Sequence, residues 1–361
     1  MATKGINNIQ QALLHWFYAN KRELPWRETK DPYLIWVSEI MLQQTKVDTV
    51  IPYYKAFIKE FPTINHLAEA KEERVLKRWE GLGYYSRAKN LHRGVKEVKE
   101  SYMGEVPKDK ETLLKIPGIG DYTAGAILSI AYQKEEPAID GNVLRVITRI
   151  FRIFEDINKV STKREVEGLV KELIPAEDPS AFNQGLMELG ALICTPKSPK
   201  CGECPVQPFC ESEKYNEQLF LPIKKKKKKI PNVYRISLII ADDKHILLTQ
   251  RPKEGLLADL WELPSIEQEQ PLSEEEWQLL IHQQFGEEIE LGEKWGSLKH
   301  IFSHKKWLIE VYRANFSKMD ISMMEKEKNK NKHQFNVIKR ENLKELPFPR
   351  VYQEIIKEFR I

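Results

Sequence analysis

Cysteine is scarce in this chain. Four residues in 361, all between positions 194 and 210, are too few and too crowded for the disulfide framework of a small secreted scaffold. Long hydrophobic runs are also missing. No stretch approaches the ~20 consecutive apolar residues of a membrane-spanning helix, and the opening MATKGINNIQQALL lacks an apolar segment followed by a small-residue cleavage site. A cytoplasmic chain with no membrane contact is expected. Excess charge is confined to one place: residues 1–222 hold 31 Lys and Arg against 31 Asp and Glu, Lys224–Lys229 adds six cations, and the remainder holds 20 cations against 22 anions. The net +4 is that lysine run, so affinity for a polyanion has to be argued from local motifs. No internal repeat is apparent.

What is present suits folded domains. Hydrophobic residues make up 41% and charged residues 30%, enough apolar material for real cores, and the length predicts two domains, possibly three. The run Lys224–Lys229, between Pro222 and Pro231, cannot pack and reads as an exposed linker over 223–230; a flexible lysine run would also add nonspecific affinity for DNA. Before it, apolar residues recur at helical spacing: Ile9, Leu13, Trp16 and Phe17; Leu34, Val37, Ile40 and Met41; Leu169, Val170, Leu173 and Ile174. An all-α domain over 1–222 follows. After it, Tyr234–Ile240, His245–Thr249 and Trp307–Val311 read as strands and Glu274–Phe285 as a helix, so 231–361 reads as α+β. The polar stretch Lys326–His333 reads as a surface loop.

The cysteines form Cys194-x6-Cys201-x2-Cys204-x5-Cys210, a strong ligand pattern. Four thiolates can enclose zinc or an iron-sulfur cluster, and spacing alone does not separate the two. Pro196, Pro199, Pro205 and Pro208 limit regular structure in this loop, as expected where a metal organises the fold. Elsewhere, Ile116-Pro117-Gly118-Ile119-Gly120 leads into a helical run from Asp121. Gly118 and Gly120 permit a tight hairpin whose N–H groups could face a phosphate, or form a plain helix-helix turn. Asp140, before Gly141-Asn142 and a further helix bearing Arg145 and Arg149, reads as an N-cap or as a functional acid. Glu39 reads as a solvated helix residue or as a buried acid.

Taken in order, Ser38-Glu39-Ile40-Met41-Leu42-Gln43-Gln44-Thr45, Gly81-Leu82-Gly83-Tyr84-Tyr85, the PGIG hairpin, Asp140-Gly141-Asn142 and the cysteine loop resemble the helix-hairpin-helix DNA glycosylases, and among them the MutY-type adenine glycosylase family. The resemblance covers nearly the whole chain. It implies a 4Fe–4S cluster on Cys194, Cys201, Cys204 and Cys210, and a bacterial, monomeric enzyme acting on duplex DNA with adenine opposite 8-oxoguanine or guanine. Glu39 would be the general acid that protonates adenine N7, its carboxyl kept protonated by apolar neighbours such as Leu34, Trp36, Ile40 and Met41. Asp140 would stabilise the oxocarbenium-like sugar, with Tyr122 and Asn142 orienting the site. The base must leave the stack; Gln44, Leu82 and Tyr84 match positions that fill or flank the gap, and Trp26, Arg27 and Gln184 resemble the walls of the adenine pocket. The related lyase, endonuclease III, places a nucleophilic lysine where this chain has Tyr122, which cannot form a Schiff base. A cluster-bearing DNA-binding or redox-sensing protein is the non-enzymatic alternative.

From about residue 230 the chain resembles the Nudix fold of MutT, including Gly255–Pro264. With Gly286 as the closing glycine of the Nudix box, the magnesium-holding places fall on Leu279, Leu280, Gln283 and Gln284, none of them a carboxylate. That domain is therefore expected to bind without hydrolysing. Phe302, Ser303 and His304 are similar to the family's loop that probes the base opposite adenine.

Overall fold

The apolar spacing before residue 223 is realised as helices, several of them opened by a side-chain cap. A computed structural model describes residues 3–225, 230–316 and 335–359. Lys226–Lys229 and the expected loop Lys326–His333 lie outside the described residues. The chain divides into two compact units, Met1–Ala70 with Arg87–Lys227, and Lys71–Ser86 with Lys228–Ile361.

In the first unit, helices Thr3–Asn20, Pro32–Leu42, Asp121–Ile130, Gly141–Ile150, Val160–Leu173 and Pro179–Leu192 carry the core. Asp31 accepts a hydrogen bond from the Tyr33 N–H with Pro32 just inside the helix, and Asp178 does the same for Ala181 ahead of Pro179; each cap contributes about 1 kcal/mol. The Pro179–Leu192 helix packs against Thr3–Asn20, Asp121–Ile130 and Gly141–Ile150. Leu13, Val143, Ile147, Phe182, Leu186 and Leu189 meet there, fully buried. Gly125 allows the chain at Pro137 to cross the Asp121–Ile130 helix, since a Cβ there would sit 1.9 Å from the Pro137 carbonyl oxygen. That crossing delivers Asp140 to the start of its helix.

The second unit holds two sheets. β1 (Asn232–Ile239) lies between β4 (Ser265–Gln268), antiparallel, and β6 (Lys306–Phe316), parallel, with β5 (Ile289–Ile301) antiparallel to β6 on the outside. β2 (His245–Gln250) is flanked by β3 (Trp261–Glu262) and β7 (Asn336–Lys339), both antiparallel. β1 is buried on both faces: Ile236 and Leu238 join Trp277, Ile281 and Phe285 of the Glu274–Phe285 helix, whereas Ile239 joins Val351, Tyr352 and Ile355 of the Arg350–Glu358 helix. A doubly covered strand explains the unbroken apolar run. Residues 71–86 fold with this unit. The Lys77 ammonium donates to the Leu346 carbonyl at 2.9 Å, the Phe348 N–H to Glu80 at 2.9 Å, and the Tyr85 hydroxyl to the Phe348 carbonyl at 3.1 Å. No described helix is long and apolar enough to cross a membrane.

Candidate active site

A cleft of about 730 Å³ opens in the first unit, and Glu39, Tyr122, Asp140, Asn142, Trp26, Arg27, Gln44, Gly120 and Gln184 all line it. Glu39 sits in the middle of the Pro32–Leu42 helix and is only 4% exposed. Its apolar company differs from the sequence expectation. Leu34, Trp36, Ile40 and Met41 are absent from the cleft wall, which is formed instead by Ile35 and Leu42, four back and three forward on the same helix face, with Leu24, Ile130, Ile139 and Met187. Immediate chain neighbours project elsewhere on a helix. Burial pushes the Glu39 carboxyl up to about 7; the Tyr122 hydrogen bond opposes this, Asp140 adds to it, and the Arg27 charge opposes it. Tyr122 donates its hydroxyl to Glu39 and touches the Met187 sulfur at 3.9 Å. Burial, ahead of the charges of Glu39 and Asp140, holds that phenol well above its usual range.

Asp140 is both a cap and a cleft acid. Its Oδ1 accepts the N–H groups of Asn142 at 2.9 Å and Val143 at 2.7 Å, while Oδ2 accepts the Asn142 side-chain amide at 2.7 Å. Burial pushes its pKa up, opposed by the Val143 N–H and then by both Asn142 hydrogen bonds. The line of contacts continues beyond Asn142. Its Oδ1 accepts from Arg145 Nη2 at 2.9 Å, and Arg145 Nε donates to the Cys194 carbonyl at 2.8 Å. One hydrogen-bonded chain thus joins the cleft acid to the cysteine loop.

The far wall centres on Glu188, which sequence reading missed. It is 1% exposed, binds Arg22 through both oxygens at 2.8 Å, and meets Arg27 Nη2 at 2.9 Å. Burial opposes its ionisation, but the Arg22 and Arg27 hydrogen bonds prevail and hold it down at about 2. Arg27 Nε in turn donates to Gln184 at 3.1 Å. Spacing was the available signal, because Gln184 and Glu188 are four apart on one helix face. Trp26 is held edge-on against Tyr54 at 5.4 Å. Gln44 is exposed with a left-handed φ of 57°. Arg87, also missed, braces this turn by donating to the carbonyls of Ile40 at 2.8 Å, Met41 at 3.0 Å and Gln43 at 2.5 Å.

The hairpin glycines differ from one another. Gly118 has φ 83° and a Cβ there would lie 2.8 Å from Asn90 Cβ, so glycine is required. Gly120 has φ −103°, a conformation open to other residues, and nothing lies within 4 Å of its absent Cβ. Of the two, Gly118 is the one whose backbone requires glycine, while Gly120 lies at the start of the Asp121–Ile130 helix on the cleft wall. Leu82 and Tyr84 belong to the other unit. Leu82, between two glycines of positive φ, is buried, whereas Tyr84, just after the second, is 46% exposed with φ 48°.

Cys194, Cys201, Cys204 and Cys210 are free thiols lining one pocket with Val146, Ile150, Leu189 and Arg149. Short turns Cys201–Glu203 and Gln207–Phe209 fill the proline-rich loop. Among the described residues, no three Cys, His, Asp or Glu side chains are gathered to hold a single ion. Four thiols lining one pocket supply the soft donor set that an iron-sulfur cluster takes.

In the second unit, Phe302 N–H bonds the Lys305 carbonyl at 2.9 Å, closing the hairpin between β5 and β6. Phe302 is half-buried, edge-on to Trp307 at 4.7 Å and to His300 at 4.6 Å, whereas Ser303 and His304 are exposed at the tip. Behind them, buried Arg235 stacks 4.3 Å from the Trp307 ring and pairs with Glu262 and Glu267, the latter also bonded to Lys305. Leu279, Leu280, Gln283 and Gln284 lie on the Glu274–Phe285 helix, just ahead of Gly286 at φ 110°.

A helical unit with a buried carboxyl, a capped second acid and a four-cysteine loop defines a helix-hairpin-helix base excision repair protein. Residues 37–175 match the HhH-GPD superfamily base excision DNA repair protein family, residues 194–210 the iron-sulfur binding domain of endonuclease III, and residues 235–358 the NUDIX domain. An adenine DNA glycosylase of Buchnera aphidicola subsp. Acyrthosiphon pisum is 32% identical over 353 residues, 98% of this chain and 97% of that protein. The chain belongs to the adenine DNA glycosylase family. A second such enzyme, from Buchnera aphidicola subsp. Schizaphis graminum, is 43% identical over 61% of this chain, and the match spans 64% of its own length. A thermostable thymine-DNA glycosylase structure superposes with TM-score 0.54 at 28% identity, covering 59% of this chain and 98% of that one. The cysteine loop accordingly holds a 4Fe–4S cluster.

Proposed function

We propose that this protein is a monofunctional, monomeric enzyme that hydrolyses the N-glycosidic bond of adenine opposite 8-oxoguanine, and secondarily opposite guanine, in duplex DNA. The observation that carries this reading is a carboxyl at about 7 facing the same cleft as a second, hydrogen-bonded acid. Protonated Glu39 delivers its proton to adenine N7, so that the base departs neutral with the bond electrons. Ionised Asp140, held by Asn142 and the helix start, stabilises the positive sugar by proximity. Water then adds to C1′ and sheds its proton, leaving an abasic site. Tyr122 keeps Glu39 oriented and supplies no amine for strand cleavage. Arg27 and Gln184, fixed by Glu188, form the wall against the flipped base, and Gln44, Leu82 and Tyr84 occupy or flank the vacated stack. Phe302, Ser303 and His304 read the opposite base.

The four thiolates pin the 194–210 loop against Arg145, and through Asn142 that loop steadies Asp140. The test is a duplex carrying adenine opposite 8-oxoguanine, analysed with and without alkali. Strand breaks should follow only after alkali, and Glu39→Gln should bind the duplex while single-turnover excision falls by at least 10²-fold. Excision near the wild-type rate would remove Glu39 from its role, and breaks without alkali would refute monofunctional hydrolysis. Because Glu39 acts protonated and Asp140 ionised, the rate should decline as pH rises through about 7 and decline again on strong acidification.

A further inference from the structure

Arg149 is a buried cation that the chemistry of the cleft leaves unused. It lies on the Gly141–Ile150 helix, is 1% exposed, and lines the cysteine pocket. Its Nε donates to the Leu221 carbonyl at 3.0 Å, its Nη2 to the Pro196 carbonyl at 3.1 Å, and its Nη1 to the carbonyls of Thr195 at 2.8 Å and Cys194 at 3.5 Å. The same Nη1 lies 3.2 Å from the Cys194 sulfur. Among the described residues, every hydrogen-bond partner of its guanidinium is a carbonyl or a sulfur, and Glu213, which lines the same pocket, bonds Gln207 instead. A fully desolvated guanidinium without a counter-charge is costly, and neutral carbonyls only partly offset that cost. Four thiolates around a cubane core carry net negative charge, which is what this position lacks.

We propose that Arg149 is the counter-ion of the cluster and sets its reduction potential through a charge-assisted N–H···S hydrogen bond to Cys194. A cation and a donor at a ligating sulfur favour the more negative member of a redox couple, so they raise the potential. Its role is distinct from that of Arg145, which reaches only the Cys194 carbonyl and then turns to Asn142 and the cleft. Arg149 is thus a tuning residue: it resists loss of an electron from the resting cluster.

The experiment reads the cluster and not excision. Arg149→Lys and Arg149→Gln are purified without oxygen, matched to the unsubstituted protein for iron content and circular dichroism, and compared by film voltammetry. Arg149→Gln should shift the oxidised-to-reduced ratio at a fixed electrode potential about tenfold or more towards oxidised, 59 mV for a one-electron couple, with Arg149→Lys between it and the parent. Unchanged potentials in iron-replete variants would overturn the proposal, because a residue that only packs the loop would alter cluster retention and leave the potential in place. A second measurement needs no substitution. In the complete protein grown with arginine carrying 15N in its guanidinium alone, the one-electron-oxidised cluster should show a 15N hyperfine coupling by electron-nuclear double resonance. Its absence would equally refute the bond, including where neither variant retains iron.

Discussion

Glu39 combines two properties that oppose each other. A carboxyl that can act as an acid near neutrality must be buried, and a buried carboxyl penalises the fold once it ionises. Its folded value of about 7 lies above the ordinary 4.5, so its contribution to stability is fully present below about 4.5 and is lost as pH rises through about 7. Replacing it with glutamine removes that loss. Glu39→Gln should therefore be more stable than the parent at pH 8, by up to about 3 kcal/mol, and close to it at pH 4, as thermal melts at the two pH values will register. An equal effect at both would mean that Glu39 is solvated and cannot hold its proton. Glu188 has the opposite sign: held at about 2, it contributes stability that is fully present above the ordinary 4.5 and is lost as pH falls through about 2.

Among the elements, the hairpin before Asp121 offers the sharpest contrast. Gly118 combines a left-handed φ with a steric limit 2.8 Å away at Asn90, and Gly120 has neither. Gly118→Ala should cost about 1–3 kcal/mol and weaken DNA binding with it, whereas Gly120→Ala should leave the melting temperature nearly unchanged. If Gly120→Ala still weakens binding, the cause is the surface it covers at the helix start and not the fold. Both variants can be followed by melting and by duplex titration. Equal destabilisation of the two would contradict the geometry described for the turn.

Across the whole molecule, Glu39 and Asp140 lie in the first unit and the Phe302–Lys305 hairpin in the second, so the roles proposed for them are separable by substitution. Phe302 is half-buried on Trp307, so Phe302→Ala mixes packing with recognition. Ser303 and His304 at the exposed tip do not. The Ser303→Ala, His304→Ala double variant should keep slow excision of adenine opposite guanine while losing its preference for 8-oxoguanine roughly ten- to a hundredfold per contact. Competition between the two duplexes measures this directly. Retained preference in a folded double variant would end the reader assignment, and equal loss on both duplexes would place these residues in general DNA binding.

The four cysteines stood out in the chain by spacing alone, whereas Glu39, Asp140 and Tyr122 were singled out only through the resemblance that the ordered motifs carry. The Glu274–Phe285 helix followed from periodicity, which depends only on nearest turns, whereas the strand read at Trp307–Val311 extends over Lys306–Phe316. Other features depend on residues far apart in the chain. The true apolar walls around Glu39, the Glu188 clamp on Arg22 and Arg27, the brace of Arg87 on the Gln44 turn, and the line from Asp140 through Asn142 and Arg145 to Cys194 are all contacts between separate elements. The difference between Gly118 and Gly120 likewise rests on Asn90, a neighbour in space. Sequence determined which groups could do chemistry. Tertiary structure decided which of them lost water and found partners, and burial, against the opposing Tyr122 hydrogen bond, is what lifted an ordinary glutamate to about 7.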